Sequence, residues 1–440
     1  MRKVVFAVCA VVMLLTSCTS SGGMVENMLS PPKLLSEQAQ IIAALQDDVS
    51  KNISLVYPKN GSYRSAFVMF DLDGDGVEEA IAFYRVNAVN NIEGNVTLKD
   101  NVRINVLGKR DGAWRSLCDV QGDGTDIESI NFAYLNGRNV KELMIGFTAG
   151  AESENTFVCY SFASAYLDSY FKTEYMSYSV LDYGENLCNK LVVLRESAAG
   201  QNKEMQIIGF VFDAISDTMT VPLYGETETY LQIKARVRPD FSAYIYIDEK
   251  SGDGYTTEVI RIQGGKIENL FYSKGNDAKN QLFYKSEPIL CTDVNNDGYM
   301  DVATMSPIPL ADGGENVSLV QWKTIAGKSA EDCMLNYYNV NYGFSFNIKA
   351  EWIGNIAAKE SEKKDEISFY YRNGWTMELL VKIAVCPRRS PLQSEDFYAY
   401  EKAAENNVYS YYVHLPSPGG LNSSVYIKEW EIDQLIILRE

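Results

Sequence analysis

The sequence predicts a mainly β protein, in which a β-propeller of about five four-stranded blades precedes an α+β domain. Five short Gly-containing loops, each followed by an apolar run of strand length, begin near residues 71, 134, 181, 249 and 293. Between them, alternating apolar and polar residues break at Asp111-Gly112 and Gly264-Gly265, which are typical hairpin turns. Hairpins at this spacing favour a propeller over a parallel α/β sheet. A sixth blade fits if one repeat is too degenerate to recognise.

The composition of the chain argues against several classes of function. A chain of 440 residues is too long for one ordinary domain, and 46% hydrophobic with 22% charged residues is normal for a globular protein. The formal net charge of -18 argues against nucleic-acid partners, which need a cationic surface. The single histidine, His414, argues against His-ligated zinc or iron and against any Ser-His-Asp triad without it.

The first residues predict export. Arg2 and Lys3 precede an apolar run of about a dozen residues, which ends at Leu15-Thr16-Ser17-Cys18. This ending resembles the lipobox of bacterial lipoproteins. The resemblance implies a signal peptide over 1–17, cleavage before Cys18, diacylglycerol on its thiol and palmitate among its acyl chains. The protein would then be lipid-anchored to the cell membrane on the extracytoplasmic side. An ordinary secretory signal with a chance cysteine is the alternative.

The rest of the chain divides by composition. Residues 18–33 are small, polar and Pro-terminated, as in a flexible tether. Residues 34–50 predict a capping helix, whose alternative role is to bind a partner. The propeller is assigned to 51–335 and the α+β domain to 336–440, with a helix over 394–407. The last domain loosely resembles sandwiches of the PsbP or Mog1 type. Six widely spaced cysteines follow Cys18, and their pairing stays open.

Two acidic loops, 71–79 and 293–301, carry a metal-binding pattern. Oxygen-bearing side chains stand at loop positions 1, 3, 5 and 9, and glycine stands at position 6, where a sharp turn is needed. Position 7 would offer its backbone carbonyl, so its side chain is free to vary. Ca²⁺ prefers six to eight such oxygens. The sequence therefore predicts two structural Ca²⁺ sites, formed by Asp71, Asp73, Asp75, Val77 and Glu79, and by Asp293, Asn295, Asp297, Tyr299 and Asp301.

An EF-hand is excluded by the same residues. It needs a carboxylate at position 12 and flanking helices, whereas position 12 is Ala82 or Thr304 and the flanking residues are typical of strands. The remaining alternative is a solvated acidic turn that binds nothing.

The two loops resemble the FG-GAP or VCBS repeat of integrin-like β-propellers. In that family a nine-residue calcium loop joins the first two strands of a blade. Weaker copies stand at 134–142, 181–189 and 249–257, and they lack the full acid set. Arg138 takes position 5 of the first weak copy, where a guanidinium could replace a cation. No metal is assigned to these three loops.

These observations predict a surface-anchored calcium-binding lipoprotein that binds an unidentified protein or glycan without catalysis. The alternative is an extracytoplasmic hydrolase acting on polysaccharide or cell-wall material. A third hypothesis is a structural or sensor lipoprotein whose C-terminal domain recognises a partner. No GxSxG, HExxH, P-loop or Rossmann motif is present. A cleft without convergent carboxylates would favour binding, whereas two carboxylates about 5–10 Å apart would favour glycoside hydrolysis.

Overall fold

The computed structural model describes residues 36–49, 52–87, 101–148, 155–184, 189–197, 203–225, 227–272, 281–308, 317–389 and 399–438. The predicted signal peptide, tether and Cys18 lie outside these ranges. The chain forms two compact units, Met1–Ala133 with Asn139–Thr173 and Tyr134–Arg138 with Glu174–Glu440. Within the described ranges, no helix has the length and apolar character needed to cross a membrane.

The described residues of the first unit form one helix and two antiparallel sheets. The first sheet consists of β1 (Ile53–Leu55), β2 (Phe67–Phe70), β3 (Glu79–Val86), β4 (Arg103–Arg110) and β5 (Ala113–Gln121). Its order is β1-β3-β4-β5, and β2 pairs with the other half of β3. The second sheet consists of β6 (Asp126–Ala133), β7 (Glu142–Thr148), β8 (Thr156–Ala163) and β9 (Tyr166–Glu174), in chain order.

Helix α1 (Ser36–Asp48) covers one face of the first sheet. Ile41 and Leu45, one turn apart, are buried beside Tyr84, Leu107 and Trp114. The helix therefore lies where the apolar periodicity predicts a capping helix.

The two sheets of the first unit share a core. Phe83 and Ile104 of the first sheet belong to one cluster with Ile130 and Phe147 of the second. Burial of each such side chain stabilises the fold by roughly 1.5–3 kcal/mol. The core-facing strand β3 is a nearly continuous apolar run because both of its faces are covered.

Where the structure describes it, the second unit forms four antiparallel sheets. The third sheet consists of β10 (Ser177–Leu181), β11 (Lys190–Glu196), β12 (Lys203–Val211) and β13 (Ala214–Pro222), and the fourth of β14 (Thr227–Val237), β15 (Ala243–Ser251), β16 (Gly254–Gln263) and β17 (Lys266–Leu270). Both sheets follow chain order. They share a core that includes Val192, Ile207, Ile245 and Ile260.

The fifth and sixth sheets complete this unit. The fifth consists of β18 (Asp301–Ile308), β19 (Val317–Ala326), β20 (Ser329–Asn339), β21 (Phe344–Asn347) and β27 (Ile436–Leu438). The sixth consists of β22 (Ile356–Glu360), β23 (Glu366–Asn373), β24 (Thr376–Pro387), β25 (Glu401–Glu405) and β26 (Tyr409–His414), in the order β22-β23-β24-β26-β25. Residue 336, the predicted start of a separate domain, lies within β20, and β27 returns to pair with β21.

The mainly β prediction is confirmed, including both hairpin turns. Asp111 and Gly112 join β4 to β5, and Gly264 and Gly265 join β16 to β17, all four with positive φ. Described cysteines at 118, 159, 291, 333 and 386 are free thiols.

The helix predicted over 394–407 is wrong where the structure describes it. Glu401–Glu405 forms strand β25, because it pairs with β26 across a turn in which Asn406 Oδ1 accepts the Val408 and Tyr409 N–H groups. This tertiary pairing outweighs the helix propensity of Lys-Ala-Ala-Glu. Helical structure in the described part of 336–440 is limited to 3₁₀ turns and the four-residue helix α2 (Ile432–Leu435).

The weak loop copy at 249–257 is also wrong. Gly252 and Asp253 form the tight turn of the β15–β16 hairpin, between the second and third strands of their sheet. The connection between the first and second strands of that sheet is instead the short segment 238–242.

Candidate metal centre and ligand cleft

The two predicted metal loops occupy equivalent places in their sheets. Loop 71–79 joins β2 to β3, and loop 293–301 enters β18 from an isolated bridge between Thr292 and Asp301. Both loops reverse sharply because positions 4 and 6 adopt left-handed backbone. These positions are Gly74 (φ 77°), Gly76 (φ 87°), Asn296 (φ 59°) and Gly298 (φ 85°), residue types that tolerate this conformation.

The loops also share four side-chain hydrogen bonds. The position-3 side chain accepts the N–H of position 5 at 3.2 Å in the first loop and 3.1 Å in the second. The position-1 carboxylate accepts the N–H of position 6 at 3.0 Å in the first loop and 2.9 Å in the second. The position-5 carboxylate accepts the N–H of position 7 at 2.7 and 2.8 Å. The position-9 carboxylate accepts the N–H of position 2 at 2.9 and 3.1 Å. The two sequences therefore build one loop geometry.

The first loop brings three carboxylates together. One oxygen each of Asp71, Asp73 and Glu79 lies within 4.8 Å of the others. Oxygens bound to one Ca²⁺ at about 2.3–2.6 Å can be no farther apart than about 5 Å, so the spacing fits that ion. Asp75 uses an oxygen to hold the N–H of position 7. Among the described residues, this is the one group of three acidic, Cys or His side chains at such spacing.

The surroundings of Glu79 disfavour its charged carboxylate form. Its side chain is only 6% exposed, and the Leu72 N–H donates to Oε2. The pKa of Glu79 is raised to about 7, mainly by burial; the Leu72 hydrogen bond lowers this pKa, and the carboxylates of Asp73, Asp75 and Asp71 add to the rise. A bound divalent cation would reverse this balance by favouring the carboxylate form.

The second loop carries less negative charge. Asn295 supplies an amide at position 3, and its Nδ2 donates to Asp297 at 2.9 Å. Asp301 is fully buried, and burial raises its pKa. Its two oxygens accept hydrogen bonds from Thr324 Oγ1 and from the Val294 N–H. Asp293, Asn295 and Asp297 supply the oxygen types that Ca²⁺ prefers, but the carboxylates of Asp293, Asp297 and Asp301 do not converge within 4.8 Å as those of the first loop do.

The weak copy at 134–142 contains a guanidinium instead of a carboxylate at position 5. Arg138 forms an ion pair with Asp213, which lies in the β12–β13 turn, and Asn136 donates to the same carboxylate. The position-5 cation of this copy is therefore paired with a carboxylate of the same unit.

A separate cleft of about 500 Å³ lies in the second unit, within the usual range for small-ligand sites. Its apolar walls include Leu415, Pro416, Leu421 and Ile427, and Lys428 and Glu429 lie at its polar side. Sequence reasoning missed this cleft. The Pro- and Gly-rich run at 415–420 was the available signal, since such a loop can fold back on itself.

Glu378 holds the loop that forms the cleft. Its Oε1 accepts the Gly419 N–H at 3.0 Å and the hydroxyl of Tyr426. The Leu421 N–H donates to the same hydroxyl at 3.0 Å. Of the described residues that line the cleft, only Glu429 carries a carboxylate. A two-carboxylate arrangement for glycoside hydrolysis is therefore not part of its lining.

Comparison with protein-family models and with curated protein sequences gives no match. Solved structures give remote similarities. An exo-β-1,3-galactanase from Phanerochaete chrysosporium is 8% identical, covers 76% of this chain and 79% of its own, and has a TM-score of 0.27. An exo-β-1,3-galactanase from Clostridium thermocellum is 12% identical, with 80% and 81% coverage and a TM-score of 0.28. A protein from Lactobacillus plantarum is 9% identical, with 73% and 85% coverage and a TM-score of 0.27.

The pKa of Glu79 makes Ca²⁺ affinity at the first loop depend on pH. Protons and Ca²⁺ compete for this carboxylate, so lowering pH from 8 to 6 should weaken the apparent Ca²⁺ affinity about tenfold for a pKa of about 7.

In the absence of metal, folding favours the protonated form of Glu79, because its pKa is higher in the folded than in the unfolded chain. Its contribution to stability is complete below the unfolded pKa of 4.5 and is lost as pH rises through 7, a change of about 3 kcal/mol. Calorimetric titration at several pH values measures the change in Ca²⁺ affinity, and thermal unfolding in EGTA measures the change in stability.

Glu79→Gln and Glu78→Gln form a matched pair for this prediction. Both remove one charge, but Glu78 is exposed and lies outside the predicted ligand set. E79Q should raise the melting temperature in EGTA at pH 8 and lose the Ca²⁺ response of the first loop, because Gln keeps an acceptor for the Leu72 N–H without the buried charge. E78Q should resemble the unmodified protein. Equal behaviour of the two variants would contradict the assignment.

Proposed function

We propose that both acidic loops bind Ca²⁺ and that the ions are structural. The convergence of Asp71, Asp73 and Glu79 supports this, since their charges repel one another without a cation. The common hydrogen bonds of the two loops extend the proposal to 293–301. Two bound ions would offset four of the negative charges that the acidic composition concentrates on this chain.

The five sheets up to β21 are proposed to be blades of a β-propeller of the FG-GAP or VCBS type. Each contains four antiparallel strands in a simple meander, apart from the additions of β2 and β27 at two of them. Sheets that follow one another within a unit share apolar cores, as blades do. Loop 71–79 enters β3 from β2, and loop 293–301 enters β18 from the Thr292–Asp301 bridge.

The chain is further proposed to be a lipoprotein, anchored through Cys18 to the cell membrane on its extracytoplasmic side. The charged start, the apolar run and Leu15-Thr16-Ser17-Cys18 support this proposal.

Cys18→Ala tests the anchor. In a bacterial host, the unmodified chain should incorporate labelled palmitate and sediment with membranes, whereas C18A should incorporate none and remain in its precursor form. Equal labelling of the two chains would contradict lipidation at Cys18.

The activity that the geometry supports best is binding of a glycan or protein segment in the 415–429 cleft. One observation favours ligand binding over glycoside hydrolysis. The cleft combines apolar walls with polar Lys428 and Glu429 but has one carboxylate in its lining. Such a lining can orient a ligand, whereas glycoside cleavage needs an acid and a second carboxylate.

The alternative is hydrolysis of polysaccharide or cell-wall material. The similar solved structures include exo-β-1,3-galactanases, so β-1,3-galactan is the first polysaccharide to test.

An array of glycans and peptides tests both functions with the mature chain. Ser423→Trp should block the cleft, whereas Ser424→Trp places the same bulk at an exposed neighbour outside the lining. Binding that S423W abolishes and S424W retains supports the proposal. Binding that both variants retain places the ligand elsewhere and contradicts it. Release of reducing sugar from β-1,3-galactan or another ligand of the array would favour the hydrolase.

A further inference from the structure

Arg238 lies in the connection that takes the place of an acidic loop in the fourth sheet. This connection, 238–242, joins β14 to β15 and is held by backbone hydrogen bonds. The Arg238 N–H donates to the Ser242 carbonyl at 2.8 Å, and the Phe241 N–H donates to the Arg238 carbonyl at 2.9 Å. A guanidinium N–H of Arg238 also donates to the Ile325 carbonyl, in β19 of the fifth sheet.

The Arg238 guanidinium is stacked between two tyrosines. Its central carbon is 4.1 Å from the ring centre of Tyr244 and 4.5 Å from that of Tyr299. Both distances are well inside the range for cation–π attraction. Tyr244 is buried in β15, so this side of the stack is fixed. Tyr299 is position 7 of the second acidic loop.

The first acidic loop differs at this position. Val77, its position-7 residue, is 52% exposed, although the two loops share their turn geometry and four side-chain hydrogen bonds. The second loop is thus held to the fourth sheet through Tyr299, and the first loop has an exposed aliphatic side chain at the equivalent point.

We propose that Arg238 is a positioning residue for Ca²⁺ binding at loop 293–301. The inference rests on the proposed Ca²⁺ site in that loop. Position 7 would bind through its backbone carbonyl. Stacking of the Tyr299 ring fixes that residue before the ion arrives, so less conformational freedom is lost on binding. The second loop compensates in this way for the amide that replaces a carboxylate at position 3.

The test measures Ca²⁺ affinity of the second loop by calorimetric titration in full-length chains that carry Glu79→Gln, which removes binding at the first loop. Arg238→Lys keeps the charge but loses the planar stack, and Tyr299→Leu removes the ring. Each should weaken Ca²⁺ binding about tenfold, as loss of supporting contacts around a metal typically does. Arg236→Lys is the matched control, because Arg236 is exposed and donates only to its neighbour's carbonyl at 3.1 Å.

The outcomes separate this inference from the function on which it rests. Weaker binding in R238K and Y299L, with R236K unchanged, supports positioning by Arg238. A lower melting temperature in EGTA with unchanged Ca²⁺ affinity would show a purely structural role and overturn the inference. Absence of any Ca²⁺ binding in the Glu79→Gln chain would overturn the proposed second site itself, and the inference with it.

Discussion

Mutual repulsion among the carboxylates of loop 71–79 is the main physical constraint on this part of the protein. Asp71, Asp73 and Glu79 converge because two left-handed positions and five hydrogen bonds from backbone N–H groups to side chains fold the loop around them. Glu79 is also buried, which further disfavours its charged form. We propose that a bound cation relieves this repulsion. Glu79 is also the first residue of β3, which continues into buried residues from Ala80 to Tyr84.

The molecule uses different chemistry at equivalent places. The acidic loops at 71–79 and 293–301 offer oxygens, whereas 134–138 and 238–242 contribute the guanidinium groups of Arg138 and Arg238. Arg138 pairs with Asp213, and Arg238 is stacked between Tyr244 and Tyr299. Positive charge is therefore built into the protein at two connections, and at two others it would come from bound ions. Connections at equivalent places in different sheets therefore carry different residues, either clustered acids or an arginine.

Local patterns predicted much of this structure, and long-range pairing explains where they failed. Strand alternation, the turns at Asp111-Gly112 and Gly264-Gly265, and the face of α1 depend on neighbouring residues and were read correctly. The segment 401–405 has helix-forming residues, but its pairing with β26 cannot be seen locally. The acidic Gly-containing segment 249–257 matches the loop pattern, yet it is a hairpin turn. The cleft was missed because Glu378 and Gly419, which shape it, are distant in sequence.

The most direct test of the central claim is the number of Ca²⁺ ions bound per chain, measured by equilibrium dialysis of the purified protein at pH 8. Two Ca²⁺ ions per chain are expected. Their binding should be saturable and should raise the melting temperature above its value in EGTA. No saturable Ca²⁺ binding at millimolar free ion would contradict it, because the convergent carboxylates would then need another explanation.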